Sequence, residues 1–319
     1  MSAEGKTTVM ITTRNRRDDL RRTLGKLREL QPRPGEVLVC ADGCTDDTVT
    51  MVRSEFPECT LLENATSRGS VFSRDRMLRQ AKGEIVVSLD DDSYPVDADF
   101  LPRLTSALAR HPEAAVITFV ELRGEEAVPS GPGNDLTRGR YVAAYPNCAA
   151  AMRREHYGAL ASFPVCFGHM YEEPDYAVQC YAAGRGVWFE PGLRVRHHLT
   201  VAQRQPVGRH HLNARNEFWS VLLRCPWPWL PFMALYRLLR QFQFACSQGV
   251  GWAVREPCWW VMTLSGLSEI FRRRQAVRWA AYKTWLRLNR DLVTDAEELR
   301  RRLQISEPHT SVRVEKKTA

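Results

Sequence analysis

The sequence predicts an α/β protein built on a mostly parallel sheet with helices on both faces. Three observations carry this. Short apolar runs of β type recur through the first 200 residues, helical leucine spacings lie between them, and turn or capping residues separate the two. Thr7 to Thr13 is the first such strand, and Asp18–Leu30 follows it with leucines at 20, 24, 27 and 30. Glu36–Ala41 is a second strand, ending in the turn and helix-capping cluster Asp42-Gly43-Cys44-Thr45-Asp46-Asp47. Thr48–Phe56 reads as a helix, Cys59–Leu62 as a strand, and Val71–Ala81 as a helix closed by Gly83. Glu84–Leu89 is a strand that runs straight into Asp90, Asp91 and Asp92, with a helix over Phe100–Arg110 and a strand over Ala114–Glu121 after it. In sheets of this order ligands bind beyond the carboxyl ends of the strands, so the polar residues at those ends are the ones to question.

Composition bounds the function. The 319 residues are 44% hydrophobic and 26% charged, which excludes a disordered or collagen-like chain. Nine scattered cysteines with no CxxC pair argue against a zinc ribbon or a disulfide framework and for a reducing compartment. The start MSAEGKTTVM does not read as a signal peptide, and no run of 18 uncharged apolar residues occurs. The expected location is therefore cytoplasmic, with peripheral attachment to the inner membrane face as the open variant.

The net charge of +8 is unevenly spread: residues from Val201 onward carry +11 and the first 200 carry −3. Eight of the nine tryptophans also lie after residue 200. Two modules are expected, a near-neutral one over 1–205 and a cationic, Trp-rich helical one over 206–305, with a flexible polar tail over 306–319. Pro226-Trp227-Pro228-Trp229-Leu230-Pro231 looks like a rigid aromatic connector, and Leu264–Leu288 interleaves apolar residues with arginines. The plain reading is a helical subdomain packed on the first module. Basic faces beside Trp and Leu also suit an anionic membrane surface, whereas nucleic-acid binding lacks any recognition motif.

The triple aspartate is the sharpest chemical feature. A lone acidic run is usually a solvated turn, but at the end of an apolar strand it concentrates repelling charge that a divalent cation would relieve. No GxxxxGK[ST] and no GxGxxG is present, which argues against a P-loop or dinucleotide site. A second acidic cluster, Tyr171-Glu172-Glu173-Pro174-Asp175-Tyr176, suits the first turn of a helix, or alternatively supplies a general base. Gly186–Glu190 reads as a strand, with Pro191 and Gly192 turning into Leu193–Arg196 and the pair His197-His198.

The ordered set TTVMITTRNR, ADGCTDDT, SRDRMLRQAKGEIVVSLDDDSYP and YEEPDYAVQCYAAGRGVWFEPGLRVRHH resembles glycosyltransferase family 2 over about residues 6–225. The resemblance implies the GT-A fold, Rossmann-like with a mostly parallel mixed sheet, here followed by a C-terminal helical module. It implies transfer of a sugar from a nucleoside diphosphate sugar with inversion, assisted by Mn²⁺ or Mg²⁺. Thr12 and Asp42 match positions that contact the base, with Arg14 where an aromatic residue is frequent. Arg74 matches the basic residue preceding the acidic strand. Asp90 and Asp92 match the two acids of the D-x-D element, with Asp91 between them on the nucleotide-sugar side. Asp92 and His197 match the metal ligands, and Glu172 and Glu173 match the family's Glu-Asp pair, whose second member is the base. Arg215 and Asn216 resemble an Arg-Asn pair of rhamnosyltransferase-like members. Two departures stand out: Ala41-Asp42 replaces a common pair of aspartates, and Glu173 is one methylene longer than the usual Asp.

The implied partners are a UDP- or dTDP-sugar donor, an acceptor whose nature the sequence does not name, and a membrane surface as an open variant, with no nucleic acid. Two other classes stay open: a nucleotidyltransferase, which would want a Gly-rich loop that Thr12–Arg17 lacks, and a non-catalytic sugar-nucleotide or membrane-surface binding protein.

Overall fold

The computed structural model describes residues 7–132, 135–199 and 206–305. The expected elements fall within them, while the tail 306–319 and residues 200–205, just before the expected module boundary, lie outside the described residues. The first half reads β1 (Thr7–Thr13), α1 (Arg17–Leu27), β2 (Glu36–Asp42), α2 (Thr48–Glu55), β3 (Thr60–Asn64), α3 (Ser70–Gln80), β4 (Ile85–Asp90), β5 (Ser93–Pro95), α4 (Phe100–Arg110) and β6 (Ala114–Arg123). All but the short β5 match the periodicity, with ends moved by a few residues.

Past β6 the chain adds β7 (Val128–Ser130), β8 (Arg140–Tyr141), β9 (Ala150–Arg153), α5 (Glu172–Ala182) and β10 (Gly186–His197). The sheet order is β3-β2-β1-β4-β9-β6-β10-β5, with β7 on β6 and β8 on β10. β3, β2, β1 and β4 are mutually parallel, β9 is antiparallel to both β4 and β6, and β10 is parallel to β6. Six long strands therefore end on one side, with β9 the reversed insert between β4 and β6. The sequence carries no strand signal for β9: Ala150-Ala151-Met152 has low β propensity, and pairing on both edges imposes its conformation. β10 is one continuous strand where two short ones were expected. Pro191-Gly192 forms an irregularity in its pairing with β6, between Glu190 and Arg194, rather than a turn.

The core is the buried face of this sheet, with Val9, Ile11, Val87, Leu89, Ile117 and Phe119 at its centre and α1, α3, α4 and α5 closing over it. Residues 206–305 form α6 (Pro206–Arg224), α7 (Leu230–Gln248), α8 (Val250–Ala253), α9 (Pro257–Ser265), α10 (Leu267–Arg272), α11 (Trp279–Arg287) and α12 (Ala296–Leu303). No described helix is long and apolar enough to cross a membrane.

The helices are fastened to the sheet by polar bonds as well as packing. The Trp285 indole donates to the Ala143 carbonyl at 2.7 Å, and the Tyr141 amide donates to the Val293 carbonyl at 2.8 Å. Deeper, the fully buried Asp175 on α5 accepts from Arg224 Nη2 at 2.9 Å, Ser220 Oγ at 2.7 Å and Gln179 Nε2 at 2.8 Å. Arg224 is itself buried, so removing it leaves a stranded charge. Arg224→Ala is expected to cost about 3–5 kcal/mol of stability, read as a lower urea midpoint, whereas replacing the exposed Arg255 should leave that midpoint in place.

Candidate active site

Because the six long strands share a direction, their carboxyl ends bring Thr13, Asp42, Asn64, Asp90, Glu121 and His197 to one edge. The register sets their neighbours. Thr12 pairs with Asp90 across β1 and β4, and Ser93 pairs with His197 across β5 and β10. The second pairing, reinforced by the His198 amide donating to the Asp92 carbonyl at 3.0 Å, carries His197 to the triple aspartate.

The three aspartates have different surroundings. Asp90 is the most open, its side chain about 30% exposed, and pairs with Arg74. Asp91 is buried and accepts from Thr13 Oγ1 at 2.9 Å and Arg16 Nη1 at 2.6 Å. Burial outweighs the Arg16 charge there and pushes its carboxyl up to about 7, helped by Asp92 and Asp90. Asp92 is buried too, yet its carboxyl is held well below the usual range. Burial opposes that ionisation, but contacts from His197 Nε2 at 3.1 Å and Arg16 Nη2 at 2.7 Å prevail. His197 lies between Asp92 and Glu121, whose Oε1 is 2.5 Å from Nδ1. Burial disfavours the imidazolium, but bonds to Asp92, Cys148 and Glu121 raise it to about 12.

Across the cleft, Arg74 is the link. Its buried guanidinium reaches Asp90 with Nη2 and Glu172 Oε1 with Nη1 at 3.2 Å. Asn147 Nδ2 donates to the same Glu172 oxygen at 3.0 Å, and the Asn147 amide lies 3.4 Å from Glu173 Oε1. Glu172 is thus buried and held, while Glu173 is half-buried with one long contact. Burial first, and then the charge of Glu172, raises Glu173 to about 8; burial also raises Glu172.

Both glutamates open α5, and the turn before them has a support. Met170 and Tyr171 take positive φ of 75° and 68°, a costly conformation for side-chain-bearing residues. Asn216 Nδ2 donates to the His169 and Met170 carbonyls at 2.8 Å each, and Arg215 Nη2 to the Phe167 carbonyl at 2.8 Å. The Arg215-Asn216 pair therefore aims the acidic turn from the helical region.

The residues expected on the nucleotide side have defined surroundings. Asp42, expected at the base, accepts Asn64 Nδ2 at 2.8 Å, Ser67 Oγ at 2.7 Å, and the Arg68 and Gly69 amides at 2.8 and 2.9 Å. Four bonds use the acceptor capacity of a carboxylate. They overcome burial and lower its pKa, so Asp42 here shapes the 64–69 loop. Ala41, the neighbouring position, carries no polar atom to replace it. Thr12 is half-buried at the end of β1, and Arg14 is exposed beside it. Arg16, which sequence reading passed over, and Asn15, at the end of the first strand, organise this edge. Arg16 clamps Asp91 and Asp92, and Asn15, at φ 53°, accepts the Thr45 amide at 2.7 Å. The signal for Arg16 was an arginine one helical step before the acidic Asp18-Asp19 pair, at a strand end facing three aspartates. A third, Cys148, brings its sulfur near Asp90 and His197; the ligand atoms of the three all lie within 4.8 Å of one another.

Gly69 fixes how closely the loop approaches α5's entry. It has φ 89°, and a Cβ there would stand 2.4 Å from the Gly168 carbonyl oxygen. Gly69→Ala should therefore displace the 64–69 loop at a stability cost of about 1–3 kcal/mol, read as a lower midpoint in denaturant unfolding.

Comparison with known proteins bears on the fold and the family. No curated protein sequence matches the chain. Among solved structures, a mannosyltransferase from Pyrobaculum calidifontis in complex with GDP-Man and Mn²⁺ superposes with TM-score 0.55 at 20% identity, covering 84% of each chain. S. aureus TarS 1–349 in complex with UDP-GlcNAc superposes with TM-score 0.58 at 16% identity, covering 85% of this chain and 82% of that one. GalNAc-T7 with UDP, GalNAc and Mn²⁺ gives TM-score 0.58 at 15% identity over 71% of this chain, which spans about half (49%) of that protein. These likenesses show the GT-A fold. The sequence pattern of Glycosyl transferase family 2 matches residues 8–169, about half of the chain, and the protein belongs to that family.

Proposed function

We propose that the protein transfers a sugar from a nucleoside diphosphate sugar to an acceptor hydroxyl by a single inverting displacement, with Glu173 as general base. The observation that supports this most is the pair of acid sets at one sheet edge, Asp90-Asp92-His197 and Glu172-Glu173, held across a cleft by the buried Arg74.

The donor set suits a divalent cation. Carboxylate and imidazole match Mn²⁺ or Mg²⁺, and Asp90, Cys148 and His197 already converge. Asp90, Asp92 and His197 would hold the ion, with the Cys148 sulfur beside them. Bound there, it supplies charge neutralisation for the departing diphosphate. Mn²⁺ accompanies two of the structural neighbours above, which is consistent with this reading.

The chain's own residues do the rest. Glu173 accepts the acceptor hydroxyl proton as that oxygen attacks the anomeric carbon from the face opposite the diphosphate. The bond from C1 to the phosphate oxygen breaks as the new C1–O bond forms, so configuration inverts and no covalent sugar intermediate is needed. Glu172 is less suited to the role because Arg74 and Asn147 already occupy it. Arg74 fixes the spacing of Asp90 and Glu172 and keeps positive charge at the leaving-group side. Asp42 at the end of β2 is the expected base contact, and UDP-, dTDP- and GDP-sugars are all donors to assay.

Glu173→Gln is expected to lower release of nucleoside diphosphate from its donor by about 10²–10⁴-fold, while calorimetric nucleotide affinity stays within a few-fold. Equal turnover in that variant would move the base elsewhere. The pH dependence has a definite sign. The base must be deprotonated and its pKa is raised, so kcat/KM should climb with pH through a limb near 8. That limb should disappear in Glu173→Gln.

A further inference from the structure

A cavity of about 600 Å³ opens where the helical region meets the entry of α5. Its wall contains Tyr171 and Pro174, the residues that bracket Glu172 and Glu173 in the chain. The facing wall carries Arg237 and Arg240 from α7, Arg287 at the end of α11, and Arg290 just beyond. One carboxylate offsets them: Glu217, buried on α6, takes Arg237 Nη1 at 2.8 Å and also Arg240 and Gln241. Arg287 and Arg290 are exposed and enter no ion pair among the described residues. The cavity therefore presents surplus positive charge within one residue of the proposed base, beside the amino end of α5, which also favours an anion.

The acceptor hydroxyl must reach Glu173, and this cavity touches the chain on both sides of the glutamate pair, at Tyr171 and Pro174. We infer that the cavity is the acceptor site and that the acceptor carries a phosphate group held by Arg287 and Arg290. This rests on the glycosyl-transfer reading above. Guanidinium forks pair with phosphate oxygens in two-point hydrogen bonds. Several uncompensated arginines suit a phosphate better than a single carboxylate. Trp285, Tyr236 and Met233 line the same cavity and supply apolar surface beside the charge for the rest of the acceptor. A phosphate could belong to a soluble molecule or to a lipid headgroup. The second source has a feature of its own: Phe232, Leu235 and Leu239 are each half or more exposed on α7, the helix that carries Arg237 and Arg240.

The test uses full-length protein and inorganic pyrophosphate, titrated calorimetrically in EDTA so that the acidic edge, without a cation, repels the probe. Wild type should bind, more weakly as salt rises, and Arg287→Gln/Arg290→Gln should bind at least about tenfold more weakly. Asp92→Asn should bind like wild type. Wild-type protein that is folded by circular dichroism yet takes up no pyrophosphate, or a double variant that binds equally well, overturns the proposal. A second arm measures retention on phosphatidylcholine vesicles with and without phosphatidylglycerol. Retention that needs the anionic lipid and both arginines assigns the phosphate to a headgroup, and pyrophosphate binding without retention assigns it to a soluble acceptor. Neither arm requires turnover or a nucleotide. Failure here with Mn²⁺-dependent nucleotide binding intact removes the acceptor assignment alone.

Discussion

Six carboxylates crowd one edge of this sheet, and the arrangement of everything around them follows from neutralising that charge. Asp90, Asp91, Asp92, Glu121, Glu172 and Glu173 would repel one another if all were ionised and unpaired. Arg16 takes Asp91 and Asp92, Arg74 takes Asp90 and Glu172, His197 sits between Asp92 and Glu121, and Arg123 meets Glu121 at 2.8 Å. The cations come from different elements: the β1–α1 loop, α3, and the ends of β6 and β10. Strand direction is what allows them to converge. The acids that remain least committed are Asp90, partly exposed, and Glu173, with its one long contact, and these face the cleft from opposite sides of Arg74.

The helical region contributes to this site from behind. Asn216 and Arg215 hold the carbonyls of the positive-φ turn that starts α5, and Arg224 with Ser220 anchors Asp175 one turn further on. The orientation of Glu173 is therefore set by α6 as much as by the sheet. A buried ion pair such as Asp175–Arg224 adds little net stability compared with apolar packing. Its consequence is positional: α5 cannot slide along α6 without stranding a charge.

The first half of the fold was legible because its long strands are apolar runs and helices such as Asp18–Leu30 and Phe100–Arg110 show leucine or alanine at helical spacing. His197 and the aspartates were legible as polar residues at strand ends. β9 was not, since alanine carries no strand preference and only the two partner strands make it one. Asp42 illustrates a different limit. Its position at a strand end was legible, but its four donors from residues 64–69 were not, since a loop's backbone amides leave no trace in a residue pattern. Arg16 and Cys148 were passed over for a related reason. A single arginine or cysteine has no periodicity, and its meaning comes from partners about 75 and 50 residues away in sequence that the sheet brings near. The cationic composition after residue 200 was evident, whereas its division into charges spent on Glu217 and Asp175 and charges left facing a cavity required the folded structure.

The most direct test of the account is calorimetric titration of UDP, dTDP and GDP, with and without Mn²⁺, into wild-type protein and Asp92→Asn. The account predicts that one of the nucleotides binds wild type, that binding requires the metal, and that it is lost in the variant while the fold is kept. Metal-independent binding that survives in Asp92→Asn, or no binding of any nucleotide by folded protein with metal present, would contradict it.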